Sequence, residues 1–317
     1  MKPLDGIRIL DLTRLLPGAV ATMMLQEAGA EVVKIEEPGL GDYARSMPPL
    51  IDGVGAVFLF TNQGKESVRL DLKSREGREG LLDMAQHADV LVEGFRPGVM
   101  ERLGIGPDVM AEANPRLIYA SLTGWSRSCA DGSRAGHDLN YLAAAGLLGW
   151  PPAMPAVQIA DICGGSMQLV SRILLALIER AKTGRGSRVD VSMVDGLAPL
   201  AIAPRAFAAA GALNPLSGVY PCYRLYEAAD GGWIALGALE AKFWREFCAV
   251  ADQLPWIERQ FDTTLVPEVE ALVRQRTAED WVRDCGLRDC CLNVVRELSG
   301  TGASTRSPPT ATGRAPS

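Results

Sequence analysis

Compact apolar runs alternate with helix-like segments near the start of the chain. IRILDL (7–12) and EVVKIE (31–36) have the length and apolar content of buried strands, and the segment ATMMLQEAGA (21–30) between them has helical spacing. Gly29 is placed to end that helix. A strand, a helix and a second strand form a β-α-β unit, which predicts parallel strands joined by a right-handed crossover.

The same alternation continues along the chain. A further helix is predicted over residues 75–88, and further strands over three segments, SVRLDL (67–72), DVLVEGF (89–95) and RLIYASLTG (116–124). Residues 1–195 are therefore predicted to form a large, Rossmann-like α/β domain around a parallel sheet.

The pattern changes after residue 195. Residues 196–217 are rich in Ala and Pro and indicate a connection, and YRLYEAADGGWIALGAL (223–239) predicts a hairpin that turns at Asp230. Helical stretches follow, so residues 218–296 are predicted to form a smaller α+β domain. Residues 297–317 contain almost nothing to bury, and we expect them to be disordered.

Charge and composition exclude several classes of partner. The net charge is -6, and no cluster of Lys and Arg could follow a phosphate backbone, so we expect no nucleic-acid partner. Residues 141–160 and 196–216 are apolar enough to be considered as membrane spans, but prolines interrupt both. We therefore expect no membrane partner.

The cysteines and the start of the chain bear on the compartment. Seven cysteines are an odd number with no C-x-x-C pair, which indicates reduced thiols. Charged residues interrupt the first twelve residues, where a signal peptide needs an apolar core. Both observations predict a cytoplasmic protein.

Several familiar sites are absent from the sequence. There is no G-x-G-x-x-G after the first strand, no P-loop motif and no G-x-S-x-G. With two histidines and no paired cysteines, we also expect no metal site. Acid and base residues remain as the candidates for chemistry.

His137 is the first candidate. It lies in RAGHDLNYLAAAG, between a glycine and Asp138 and just ahead of an apolar run. The alternative is a simple helix start, because Asp138 or Asn140 could cap the helix that follows.

Asp161 and Glu240 are the second and third candidates. Asp161 precedes two glycines and a long apolar helix, whose backbone amides could stabilise negative charge on a substrate oxygen; capping of that helix is its alternative role. Glu240 lies at a strand end before a helix, where a solvated first-turn acid is the alternative.

Eight segments in order resemble the class III CoA-transferase family (CaiB/BaiF type) and, within it, the α-methylacyl-CoA racemases. The likeness runs from residue 3 to about residue 290. It is carried by PLDGIRILDLTRLLPGAVATMMLQEAGAEVVKIEEPG, VRLDLKSREG, ADVLVEGFRPGVMERLGIGP, NPRLIYASLTGW, AGHDLNY, ADICGGSM, GRGSRVDVSMVDG and LGALEAKFW.

The resemblance implies an intertwined homodimer with a large α/β domain and a smaller domain in each subunit. It also implies that His137 and Asp161 act as two bases on opposite faces of the acyl α-carbon. Glu240 would hydrogen-bond His137 and orient its ring. Four further residues would lie beside the bound thioester: Gly136, Asp138, Asn140 and Tyr141. The chemistry needs no prosthetic group, because coenzyme A is part of the acyl-CoA substrate.

Further contacts to CoA follow from the same resemblance. Arg96 would lie near the phosphates and Lys65 would be another contact, while the adenine end would meet the segment Arg69, Leu70, Asp71 and Leu72. Glu37 and Glu66 stand where many relatives have a basic residue, which should weaken the attraction to phosphate. We therefore expect Arg96 to matter most among the cations.

The resemblance leaves two activities and a non-enzymatic role open. A racemase of fatty acid or lipid metabolism would use both His137 and Asp161, whereas a CoA-transferase would use Asp161 as the nucleophile that carries the acyl group. Transferases of the family generally lack the histidine, so the pair favours a racemase. A CoA-binding relic is the third reading. Family members continue beyond the segment that DCCLNVV resembles and return to the large domain, whereas this chain enters its Ser/Thr/Pro-rich end.

Overall fold

The computed structural model describes residues 1–126, 132, 134–149 and 152–297. The chain divides into two compact units, the first ending at Ala201 and the second beginning at Ile202. This division falls within the stretch 196–217 that the sequence indicates as a connection. Residues 298–317, for which disorder is expected, lie outside the described residues.

The first unit is built on a six-stranded parallel sheet with the order β5-β2-β1-β6-β7-β8. Counted among the six, this is the order 3-2-1-4-5-6 of a Rossmann fold, so the predicted α/β class is confirmed. The strands of this unit are β1 (Arg8–Leu12), β2 (Glu31–Glu36), the short hairpin β3 (Leu50–Ile51) and β4 (Val54–Gly55), β5 (Glu66–Arg69), β6 (Val90–Glu93), β7 (Ile118–Thr123) and β8 (Arg188–Ser192).

Helices cover both faces of this sheet. They are α1 (Pro17–Glu27), α2 (Ala56–Asn62), α3 (Arg75–Gln86), α4 (Val99–Arg102), α5 (Pro107–Ala113), α6 (Asp138–Ala145), α7 (Met167–Thr183) and α8 (Met193–Gly196). Successive strand residues face opposite sides, so Ile9 joins the core beneath α1 and α7, while Leu10 joins the core beneath α3 and α5. Burial on both faces explains the continuous apolar runs of the sequence.

The helix α7 continues a preceding π-helix, Ala160–Ser166. Together they form one helix, Ala160–Thr183, which is long and apolar enough to cross a membrane by length and composition alone. Its residues Leu169 and Ile173 are fully buried against the sheet, while Leu175 and Ile178 are exposed.

The second unit contains a three-stranded antiparallel sheet with the order β11-β10-β9. The predicted hairpin is present as β9 (Tyr223–Glu227) and β10 (Trp233–Gly237), and β11 (Leu292–Val294) completes the sheet. The helices are α9 (Ile202–Ala209), α10 (Ala241–Val250), α11 (Val266–Val273) and α12 (Ala278–Gly286). The last two are separate because Thr277 accepts a hydrogen bond from the Asp280 amide and starts a new helix.

Candidate active site

The strand order reverses between β1 and β6, and ligands of such sheets bind at the carboxyl ends of the strands at that point. Two cavities lie there, one of about 520 Å³ and one of about 380 Å³, hereafter the large and the small cavity. Arg14, just after β1, lines both. Gly94 of the large cavity and Phe95 of the small cavity follow β6.

The large cavity brings two predicted acid-base residues together. His137 and Asp161 both line it, with the predicted neighbours Gly136 and Tyr141. The remainder of its lining is mostly apolar and comprises Thr13, Arg14, Leu15, Leu16, Pro17, Gly18, Ala44, Met47, Val57, Gly94, Leu122, Gln158 and Met193. An acid-base pair in an apolar cavity of this size can act on a small organic group.

His137 is held by the start of α6. Its backbone amide donates a hydrogen bond to Asn140 Oδ1 at 3.0 Å, so Asn140 fixes the residue from within the first turn. The Tyr141 hydroxyl donates to the Gly136 carbonyl at 2.6 Å and closes the chain around the histidine. Gly124 allows this arrangement, because a Cβ there would lie 2.2 Å from the Tyr141 hydroxyl oxygen.

Asp161 is placed by a contact between two elements. Its backbone amide donates to Asp138 Oδ1 at 2.8 Å, which joins the first turn of the π-helix to the first residue of α6. The Ile162 amide donates to the Gln158 carbonyl. Neither of these two amides is therefore free to bind a substrate oxygen; a role for later amides of this helix stays a prediction.

The environment of Asp161 prepares it for proton transfer. Burial and the negative charge of Asp138 raise the pKa of its carboxyl group and His137 lowers it, with a net pKa of about 6. Burial and the charge of Asp161 also raise the pKa of Tyr141. A carboxyl group with a pKa near 6 can both accept and donate a proton at neutral pH.

The π-helix packs closely on α8 through glycine. A Cβ on Gly164 would lie 2.4 Å from the Met193 carbonyl oxygen, and one on Gly196 would lie 1.9 Å from the Gly164 carbonyl oxygen. The Ser166 hydroxyl, which is fully buried, donates to the Pro17 carbonyl at 2.6 Å. These contacts fix the Asp161 turn against α8 and against the start of α1.

The residues predicted to bind CoA are divided by the structure. Leu70, Asp71 and Leu72 line the small cavity, as the adenine site would require. Arg69 and Arg96 are exposed and lie outside the lining of both cavities. Their contacts with CoA stay predictions.

Lys65 does not reach either cavity, which contradicts its predicted role. Its side chain is fully buried and its ammonium group pairs with Asp11 at 3.2 Å. It also donates to Thr22 Oγ1, Asn62 Oδ1 and the Ala19 carbonyl. Since these acceptors and Asp11 surround the ammonium group, Lys65 stabilises the fold beneath α1.

Arg14 is a site residue that the sequence analysis missed. Its guanidinium donates to the Tyr43 hydroxyl at 2.9 Å and pairs with Glu37 at 3.1 Å, and it lies over the ring of Phe95. The available signal was its position: a polar residue directly after a buried parallel strand lies where ligands bind. Glu37, which is predicted to weaken phosphate binding, forms an ion pair with Arg14 in the structure.

Glu240 lies in the second unit, immediately before α10. It is exposed and makes no side-chain capping hydrogen bond to that helix. Its hydrogen bond to His137 stays a prediction. Among the described residues, no group of three or more His, Cys, Asp or Glu side chains is placed to hold a metal ion.

Comparison with known proteins gives consistent results. A family model described as CoA-transferase family III matches residues 4–307. The chain is 34% identical over 319 residues to human alpha-methylacyl-CoA racemase, covering 92% of this chain and 77% of the relative. It is 40% identical over 201 residues to acetyl-CoA:oxalate CoA-transferase of Acetobacter aceti, covering 61% and 51%. The crystal structure of Rv3272 from Mycobacterium tuberculosis superposes with a TM-score of 0.82 at 32% identity, covering 94% and 85%.

Proposed function

The chain belongs to CoA-transferase family III, and from this premise we propose that it inverts the α-carbon of 2-methylacyl-CoA thioesters. The reaction is a 1,1-proton transfer through an enolate. The observation that carries the proposal is that His137 and Asp161 line one cavity. Inversion by proton transfer needs a base on one side of a carbon and an acid on the other, and these two side chains supply that pair.

Each turnover moves one proton off the α-carbon and another onto its opposite face. For one epimer, ionised Asp161 accepts the α-proton, the electron pair moves onto the thioester oxygen, and protonated His137 donates to the carbon of the enolate. For the other epimer neutral His137 accepts and protonated Asp161 donates. The pair therefore carries one proton in total before each reaction, and the raised pKa of Asp161 makes both distributions of that proton accessible.

The lining of the large cavity favours an apolar acyl group. Leu15, Met47 and Val57 present aliphatic side chains beside the acid-base pair. The small cavity, which contains Leu70 and Leu72, would take the adenine end of CoA. Arg14 is common to both cavities, so a thioester whose two ends occupy them would pass its guanidinium.

Solvent exchange tests the proposed reaction. In deuterium oxide, a 2-methylacyl-CoA is expected to gain α-deuterium as its α-carbon epimerises, because each turnover delivers a proton that the enzyme exchanges with solvent. Mass spectrometry measures the deuterium, and optical activity measures the inversion. Inversion with no deuterium, or no turnover of any 2-methylacyl-CoA, would contradict the proposal.

A CoA-transferase is the second candidate, favoured by the similarity to an oxalate CoA-transferase over 201 residues. In that reaction the Asp161 carboxylate attacks the thioester carbonyl, forms a mixed anhydride and releases the CoA thiolate. Hydroxylamine would then trap the acyl group from Asp161, and a carboxylate acceptor would become a thioester. We expect α-exchange without trapping.

The position of Arg14 in both cavities revises the expectation that Arg96 matters most among the cations, and Arg14 should contribute more to acyl-CoA binding than Arg96. Arg14→Ala should weaken binding by about 1.5–3 kcal/mol, the range for a hydrogen bond to a charged group, and Arg96→Ala by less because Arg96 lies outside the lining of both cavities. Calorimetry of both variants with one acyl-CoA gives the comparison. An unchanged dissociation constant for Arg14→Ala would remove Arg14 from the site.

The proposed enzyme is a homodimer at micromolar concentration. Exposed apolar side chains lie along one face of α7, where Leu175 and Ile178 are 64% and 55% exposed, and Met154 and Val157 are exposed in the stretch 141–160. Apolar patches of this kind are typically covered by a partner. Light scattering should give twice 33.9 kDa, whereas a mass of one chain at all concentrations would overturn the prediction.

A further inference from the structure

One buried ion pair hydrogen-bonds to the backbone of three residues that line the large cavity, Thr13, Leu15 and Ala44. Lys34 of β2 and Asp42 are 3.0 Å apart, and only 1% of each side chain is exposed. The Lys34 ammonium also donates to the Thr13 carbonyl at 2.9 Å. The Asp42 carboxylate accepts from the amides of Leu15 and Ala44.

Leu15 has an unusual backbone conformation. Its φ is 61°, in the left-handed region that is unfavourable for a leucine because its Cβ crowds the following carbonyl. Its amide lies 3.1 and 3.3 Å from the two Asp42 carboxylate oxygens, so the carboxylate is aimed at this strained residue. Strained residues at a site persist when the surrounding structure over-determines them.

The ion pair orients both partners. Asp42 is held further by its own amide, which donates to Glu36 Oε2 at 2.8 Å, and Glu36 is paired with Arg45. Because the Asp42 carboxylate is fixed in this way, it can accept the hydrogen bond from the Leu15 amide only when the loop from Thr13 to Leu15 holds the position seen here. Lys34 fixes the preceding turn through Thr13.

We propose that Lys34 and Asp42 are a positioning pair that holds Leu15 in its left-handed conformation and thereby fixes the wall of the large cavity formed by Thr13, Leu15 and Ala44. The inference rests on the proposed function only in assigning the acyl group to this cavity. It applies equally to proton transfer and to acyl transfer, since neither residue lines the large cavity.

Asp42→Asn is the first test, with Asp89→Asn as its control. Asp89 accepts from the Arg8 amide and pairs with Arg180, but it precedes β6 and so lies at the end of the sheet away from the cavities. Asp42→Asn replaces one of the two carboxylate oxygens by an NH2 group, which faces either the Lys34 ammonium or the backbone amides and repels whichever it faces. It should lower kcat for acyl-CoA on the order of ten-fold, because small displacements of a site cost large factors in rate. Asp89→Asn should lower Tm but leave kcat unchanged.

Leu15→Gly separates positioning from general damage. Glycine adopts positive φ without strain, so it does not need Asp42 to hold it there. The loss of kcat caused by Asp42→Asn should be at least about three-fold smaller in the Leu15→Gly background than in the wild type. An equal loss in both backgrounds would overturn the proposal.

A crystal structure of Asp42→Asn gives a readout that needs no activity. We expect φ of Leu15 to leave the left-handed region and the loop from Thr13 to shift; an unchanged loop overturns the proposal even if no acyl-CoA is turned over. Should this variant not fold, Lys34→Met/Asp42→Asn removes both charges and leaves no unpaired buried ion. The same change in Leu15 is expected there, and its absence has the same meaning.

Discussion

His137→Ala is expected to abolish α-deuterium uptake from one epimer of a 2-methylacyl-CoA, and Asp161→Ala to abolish it from the other. Each variant keeps one base, which can still remove and return a proton on its own face of the α-carbon. The loss should be about 10²–10⁴-fold, the contribution typical of a positioned acid or base. Mass spectrometry of each pure epimer in deuterium oxide measures it. Epimerisation itself should be lost in both variants, since it needs both groups.

Two further variants test whether the loss is specific to His137 and Asp161. His87→Ala replaces the second histidine, an exposed residue at the end of α3, and should leave both exchange rates unchanged. Glu240→Gln should reduce exchange less than His137→Ala, because it would alter only the orientation of the His137 ring, to which Glu240 is predicted to hydrogen-bond, and would leave the base itself in place. Equal losses for the two epimers in both single variants would show that His137 and Asp161 are not opposing bases.

Epimerisation is expected to follow a bell-shaped pH profile with an acid limb near pH 6. The active pair carries one proton, so a second proton on the pair below the Asp161 pKa of about 6 leaves no base, and the rate falls ten-fold per pH unit. An unperturbed aspartate would place this limb about two units lower. The two epimers should give the same pH profile of kcat/KM, since the ratio of their kcat/KM values equals the equilibrium constant, which is close to one at every pH.

Asp138→Asn checks the origin of the acid limb. Burial still raises the Asp161 pKa in this variant, but the negative charge that adds to the effect of burial is removed, while the amide oxygen can still accept the Asp161 backbone hydrogen bond. The acid limb of kcat/KM should therefore move to lower pH. An acid limb at the same pH in this variant as in the wild type, or one near pH 4 in the wild type, would contradict the assignment to Asp161.

Local patterns were sufficient to predict five of the six strands of the parallel sheet, and β8 (Arg188–Ser192) was not among them. Buried parallel strands need apolar residues on both faces, and this requirement is visible in single segments such as those around Leu10 and Leu91. The end of α1 was also local, since Gly29 takes φ of 113° after the helix. The hairpin at Asp230 follows from turn chemistry in the same way.

Features that depend on distant residues could not be predicted. The resemblance implies a CoA contact for Lys65, but its partner in the structure is Asp11, which is 54 residues away in sequence and gives no local sign of their pairing. The position of Arg14 between the two cavities depends on the pairing of β1 with β6, which are far apart in sequence. The resemblance supplied His137 and Asp161, but the contact through Asp138 that places them on one cavity appears only in three dimensions.

The π-helix before α7 also escaped prediction, because periodicity cannot distinguish one extra residue in a turn from a regular helix. The extra residue affects the direction in which the Asp161 side chain points. Each residue of an α-helix advances the chain by about 100° and 1.5 Å, so deleting one residue between Asp161 and α7 would swing the carboxylate by roughly that angle about the helix axis. The direction of the Asp161 side chain is therefore set by the number of residues in the turn as much as by their identity. A one-residue insertion or deletion in that turn would redirect the carboxylate without replacing the aspartate.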